Sequence, residues 1–143
     1  MKTYKDSCQY KFHRNRMLYH ALGLSVFSVV IIFLSLFDMI EISKKFGIAV
    51  LICGLLLIFC FSGPIIIYNA VKLHRIAKDK YQIKELRIAY IDDGERRKFY
   101  ISATDDNGEN VYITVYKVFL DPSITIAQNS TIKVLYGNDN VLI

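Results

Sequence analysis

Three kinds of side chain in this 143-residue chain invite a chemical reading. Two acidic clusters, Asp92-Asp93-Gly94-Glu95 and Asp105-Asp106-Asn107-Gly108-Glu109, offer the oxygen ligands that calcium takes. A calcium loop alternates its ligands with spacer residues, and neither cluster has that spacing. Asp-Gly and Asn-Gly are also the pairs that tight hairpin turns demand, so both clusters read as turns. His13, His20 and His74 all lie near the cytoplasmic ends of two apolar stretches and suggest a metal site or a proton relay. Neither stretch carries a carboxylate, and relays within membranes are built from intramembrane polar groups. Cys8, Cys53 and Cys60 show neither zinc spacing nor a disulfide framework. Cys8 is either an acylation target in a basic arm or a bystander thiol. There is no Ser/His/Asp or Cys/His arrangement, no glycine-rich phosphate loop and no histidine helix motif. The chain reads as a non-enzyme with no catalytic residue, metal or cofactor.

The elements around these residues define the chain better than the residues do. Residues 17–37 contain no Lys, Arg, Asp or Glu, and neither do residues 46–71. As helices these stretches would be roughly 31 and 39 Å long, against a hydrocarbon core of about 30 Å. They predict two membrane spans, at about residues 18–38 and 46–71, joined as a tight hairpin. The first run is longer than a signal-peptide core, and Ser35-Leu36-Phe37 is no cleavage site, so a retained anchor is expected.

Charge is uneven. Residues 1–84 carry 12 Lys+Arg and 4 Asp+Glu, a net of +8, whereas residues 85–143 carry 6 and 9, a net of −3. The basic residues flank the spans, among them Lys11, Arg14 and Arg16 before the first and Lys72 and Arg75 after the second. These five are the candidates for lipid-headgroup contact. The positive-inside rule then places both termini in the cytoplasm of an inner (plasma) membrane protein. A basic face on the folded tail, which nucleic acid binding would need, is missing. Residues 1–16, with Tyr4, Tyr10 and Phe12 among the cations, read either as an arm on the cytoplasmic membrane surface or as an unstructured terminus.

Small residues recur at heptad steps in both spans: Ala21, Ser25, Ser28 and Ser35 in the first, and Ala49, Cys53, Cys60 and Gly63 in the second. Small residues let helix backbones approach in lipid, where van der Waals packing drives association. The two stripes are therefore expected to face one another, or one of them to receive a partner's helix. Pro64 removes a backbone donor and predicts a kink. The second helix is expected to continue to about residue 80 on the face made by Leu73, Ile76 and Ala77.

Residues 81–143 change to a period of two. Leu86, Ile88 and Tyr90 alternate, as do Phe99, Ile101 and Ala103, then Val111, Ile113 and Val115, Ile124 and Ile126, and finally Ile132, Val134 and Tyr136. Turn residues separate the runs, at residues 92–94, 105–108, 121–122, 129–130 and 137–140. The expectation is an α+β membrane protein. A two-helix transmembrane hairpin is followed by a small antiparallel β-barrel or sandwich of five or six strands, of SH3-like or OB-like size. If residues 131–136 are a paired strand, Val134→Pro should unfold the tail without preventing insertion. Arg96-Arg97-Lys98 reads as a strand end or as a contact for anionic lipid.

The run Asp106-Asn107-Gly108-Glu109-Asn110-Val111, and the ending from Ile132 to Ile143, resemble the turn-and-strand pattern and the ending of the DUF3592-type small bacterial membrane proteins. Both prolines of the family's ending are absent here. The resemblance covers about the last 60 residues and implies a short meander following a membrane hairpin, without implying an activity. The leading functional expectation is a cytoplasmic β-domain that binds a protein partner or regulates a membrane complex, by strand addition at exposed edges. The alternative is a small protective, immunity-type membrane protein, or a membrane-attached effector, acting through its hairpin. Membrane lipid, a protein partner or a homo-oligomer are the expected associations, and nucleic acid is not.

Overall fold

The computed structural model describes residues 3–41, 43–95 and 97–143. After a short 3-10 turn at Tyr4–Asp6, helix α1 spans Cys8–Glu41 and helix α2 spans Lys44–Lys78. Five strands follow: β1 (Gln82–Glu95), β2 (Lys98–Thr104), β3 (Asn110–Tyr116), β4 (Thr131–Tyr136) and β5 (Val141–Leu142). The chain divides into two compact units, but not into consecutive ones. Arg14–Val71 forms one, and the residues up to His13 join Lys72–Ile143 in the other. The sequence suggested segments of 1–16, 17–80 and 81–143. The structure instead gives the first turns of α1 and the last turns of α2 to the β-domain. Both borders, at His13/Arg14 and at Val71/Lys72, fall in the basic flanks of the apolar stretches.

The helical unit is a hairpin whose two helices are long and apolar enough to cross a membrane. The apolar stretch of α2 is not buried inside the protein, and Phe27, Phe33, Phe61 and Ile67 are openly exposed. Such a surface is stable when its solvent is hydrocarbon. Helix α2 runs unbroken through Pro64, where the carbonyl of Cys60 loses its usual donor.

The contact between the helices differs from the facing stripes that the heptads suggested. Ala21 and Ser28 are half-buried and Ser35 is fully buried, so most of the first stripe lies inward. Ser25 is exposed and donates back to the carbonyl of Ala21 at 3.0 Å. On α2, Ala49, Cys53 and Cys60 are exposed, and a Cβ on Gly63 would meet nothing within 4 Å. The inward positions are Gly47, whose carbonyl accepts the Ser35 hydroxyl at 2.7 Å, and Gly54, where a Cβ would come within 2.8 Å of Ile31. The physical reason is size. Glycines seven apart open a deeper trough than alanine and cysteine do, and α2 turns that trough toward Ser35 and Ile31.

The β-domain is one antiparallel sheet of order β3-β2-β1-β4-β5, curled into a nearly closed barrel. Its core is Leu86, Ile88, Ile101, Ala103, Ile113, Val115, Ile132 and Val134, with Cys8 of α1 among them. β1 is long enough to serve both halves, pairing with β4 through residues 82–87 and with β2 through residues 87–95. The register slips between Ile88 and Tyr90, leaving Ala89 as an extra residue. A bulge of this kind bends a strand and reverses the facing of every later side chain. The alternation of Leu86, Ile88 and Tyr90 therefore ends at Ile88: Tyr90 is 60% exposed, and Ile91 packs on the core instead.

Two further expectations are revised. Residues 92–94 do not turn, because β1 continues to Glu95. Ile124 and Ile126 lie outside any strand, in a segment ordered by local turns, so the sheet has five strands. The other turns stand where their residues put them. Gly108 takes φ +84° and Asn129 φ 65°, conformations that glycine and asparagine accept more readily than other residues.

Candidate functional site

An open-ended sheet must deal with its two edges. Here the first helical turn of α1 does so. The Gln9 side chain donates through Nε2 to the carbonyl of Thr114 on β3, at 2.9 Å. Its Oε1 accepts the backbone N–H of Ile143, just beyond β5, at 3.0 Å. The N–H of Cys8 donates to the main-chain oxygen of Ile143 at 2.6 Å. Phe12 stacks flat on Tyr116, with ring centroids 3.7 Å apart. One amide side chain thus bridges β3 to the β5 end, and the aromatic pair seals the seam.

Closure is incomplete along β4. Ile88 N–H donates to Ser130 C=O, and Gly137 N–H donates to Asn140 C=O, which fixes the parity of the strand. Residues 132, 134 and 136 direct their main-chain groups to β1, and residues 131, 133 and 135 direct theirs to the β5 side. β5 is two residues long and pairs only with Leu135 and Tyr136. Among the described residues, the N–H and C=O groups of Thr131 and Lys133 therefore face outward with no strand beside them. A groove of about 650 Å³ lies along this stretch. Its floor is apolar, with Ile124, Ile132, Val134 and Leu142, and hydroxyls of Ser7, Ser123 and Thr131 line it as well. An exposed strand edge beside an apolar trough can do one chemical thing well, which is to accept another strand.

The turn after β4 is braced by Asp79, the residue following α2. Its carboxylate accepts the N–H groups of Asn138 and Asp139, at 3.0 and 3.3 Å, and Nδ2 of Asn140 at 2.9 Å. Partial desolvation raises its pKa, but these hydrogen bonds outweigh it and hold the carboxyl below its ordinary range. Gly137 makes room for this brace, since an added Cβ would overlap the Asp79 carboxylate and lie 2.8 Å from the Tyr81 ring. The Tyr81 hydroxyl donates to the carbonyl of Ile76 at 3.1 Å. Desolvation, with the Asp79 charge beside it, pushes that phenol well above its usual value.

The residues singled out in the sequence are distributed as follows. Lys11 lies in the β-domain, and Arg14 opens the helical unit with Arg16 close behind. Lys72 and Arg75 sit on the part of α2 that belongs to the β-domain. Cys8 is sealed in the core and closed to modification in the folded state. The Asp105 carboxylate accepts the N–H groups of Asn107 and Glu109, at 2.9 and 3.0 Å, and so acts within its own turn. The basic triplet lies partly outside the described residues at Arg96, and Arg97 and Lys98 flank the β1–β2 turn. Gln9 was missed in the sequence. A lone glutamine after a cysteine carries no signal until the edge strands it joins are known.

Comparison of the chain with family models, with curated proteins and with solved structures finds no match.

Proposed function

We propose that this chain is a non-enzymatic, two-span membrane protein whose β-domain docks a protein partner by accepting a strand along β4. The observation that carries the reading is the outward-facing main chain of Thr131 and Lys133 beside the groove. The basic flanks support a cytoplasmic β-domain with both termini inside, on an inner (plasma) membrane. A DUF3592-type architecture remains part of the proposal.

The test is affinity purification of the tagged chain from native membranes in mild detergent, with mass spectrometry, for the wild type and for Lys133→Pro. Proline at 133 removes a donor that faces the groove and leaves the β1–β4 ladder intact. A stoichiometric partner retained by the wild type and lost from the variant is the expected result. Recovery of the chain alone, or of a partner indifferent to the variant, overturns the reading. Activity surviving deletion of residues 85–143 would transfer the function to the hairpin.

A further inference from the structure

Resting on the docking reading above, the geometry points to the chemistry of the segment that β4 accepts. We infer that the groove takes a single extended segment of another protein, antiparallel to β4 and in line with β5. An apolar residue of that segment faces Ile132, and an acidic residue faces Lys133.

The direction and register follow from the existing ladder. β5 runs antiparallel to β4 with Leu142 opposite Leu135, and it stops after two residues. A segment continuing that line meets Lys133 and then Thr131, and each offers it one N–H and one C=O. Ile143 stands opposite Val134, so the uncovered stretch is residues 131–133, about 10 Å long at strand rise, enough for three or four residues. Directly opposed residues point to the same face of a sheet. The segment's residue opposite Ile132 therefore turns to the apolar floor that Ile132 and Val134 share with Leu142. Its residues opposite Thr131 and Lys133 turn outward.

Charge selects among such segments. Lys133 pairs across one side with Glu85 of β1 at 3.3 Å, and both side chains are well exposed. On its other side it faces the groove. An acidic residue there completes a Glu85–Lys133–acid row, whereas a cation opposes the ammonium group. The two carboxylates lining the groove already hold their own turns: Asp6 accepts from Thr3 and Asp121 from Ser123. Lys133 also argues against a second copy of this chain as the occupant, because two β4 edges paired about a twofold axis bring two lysines together.

The probes are acetylated, amidated seven-residue peptides of alternating valine and threonine, with glutamate or lysine replacing the central threonine. They are titrated into the full chain in lipid nanodiscs, at low salt, and amide exchange is followed. The glutamate peptide is expected to bind saturably and to slow exchange at Thr131 and Lys133 about tenfold or more. The lysine peptide is expected to bind about fivefold more weakly, with the gap closing in 1 M salt. Lys133→Pro should abolish binding while Leu86 keeps its protection, which shows that the sheet is intact. Four results each overturn the inference: no slowing at Thr131 and Lys133, equal or reversed ranking of the two peptides, binding that survives Lys133→Pro, and protection of the two amides by the nanodisc lipid alone. If the peptides fail while the native partner is still lost from Lys133→Pro, the docking reading stands and only the segment chemistry is wrong.

Discussion

Replacing Gln9 with Met removes both hydrogen bonds across the barrel seam while keeping the length and most of the volume of the side chain. Gln9 is 7% exposed, so the groups it leaves behind gain little water. Those groups are the carbonyl of Thr114 on β3 and the N–H of Ile143 after β5. A buried main-chain group left without a partner costs about 1–3 kcal/mol. Two of them, partly rehydrated as the seam loosens, cost about 2–3 kcal/mol. The domain to which they belong is small, and small domains hold only about 5 kcal/mol in total. For a domain of this size each kcal/mol moves the midpoint by roughly 4–8 °C. Gln9→Met should therefore lower the Tm of the β-domain by about 10–20 °C, measured on the full chain in detergent micelles by the near-ultraviolet dichroism of its tyrosines. Exchange of the Ile143 amide should accelerate before that of Leu86. A variant that unfolds within 2 °C of the wild type would refute the argument that this one amide closes the barrel.

Other consequences follow from the same geometry. Val134→Pro removes a donor to β1 and a buried side chain, at a cost of about 3 kcal/mol or more, and should abolish protection of residues 131–136 in limited proteolysis while the chain still inserts into membranes. Lys133→Pro, one residue earlier, should leave that protection in place, and equal damage by the two prolines would refute the assigned parity of β4. The Asp79 carboxyl titrates lower in the folded chain than in the unfolded one, so its stabilisation is complete above the ordinary carboxylate value of about 4 and is lost as pH falls through its folded value. Asp79→Asn should accordingly flatten the acid limb of the stability profile. Gly137→Ala, which crowds the same carboxylate, should cost about 1–3 kcal/mol at neutral pH, and an unchanged denaturation midpoint for it would count against the brace. In the hairpin, Gly54→Ala should weaken helix association, because its methyl group meets Ile31, while Gly63→Ala should be neutral. Ser35→Ala should cost about 0.6 kcal/mol, the usual worth of an interhelical hydrogen bond in lipid; steric-trap measurements of hairpin unfolding would rank the three.

Much of the fold is legible in the residues because each signal acts over a short range. A run of twenty uncharged apolar residues makes a helix long and apolar enough to cross a membrane, and a period of two interrupted by turn residues is a meander. The alternation at Leu86 and Ile88 placed both in the core, as found. It failed at Tyr90 because nothing in Ile88-Ala89-Tyr90 marks the bulge, which exists to let one strand bend between two neighbours. The stripe on α2 failed for a related reason. Residues 49, 53, 60 and 63 keep heptad spacing as well as residues 47 and 54 do, and only the partner helix decides which face turns inward. The open edge of β4 required knowledge that β5 is two residues long. Beyond β5 the main chain of Ile143 turns its N–H to Gln9 and its oxygen to Cys8, on the side away from β4.

That contact explains why the basic arm could not be read as part of a domain. A sheet of some 60 residues buries too little surface to be comfortably stable alone. It has edges at β3 and β5 and a core that lacks one filler. The missing pieces arrive from the far side of the apolar stretches. Cys8 fills the core, Gln9 joins the edges, and Phe12 covers Tyr116. In sequence terms the hairpin Arg14–Val71 is an insertion within the β-domain, whose first and last contributions lie 134 residues apart in the Gln9–Ile143 bond. Joining ends so distant costs loop-closure entropy, yet that cost grows only logarithmically with length. Residues 14–71 therefore stand in sequence between the two parts of the barrel, and Cys8, Gln9 and Phe12 join those parts across the insertion.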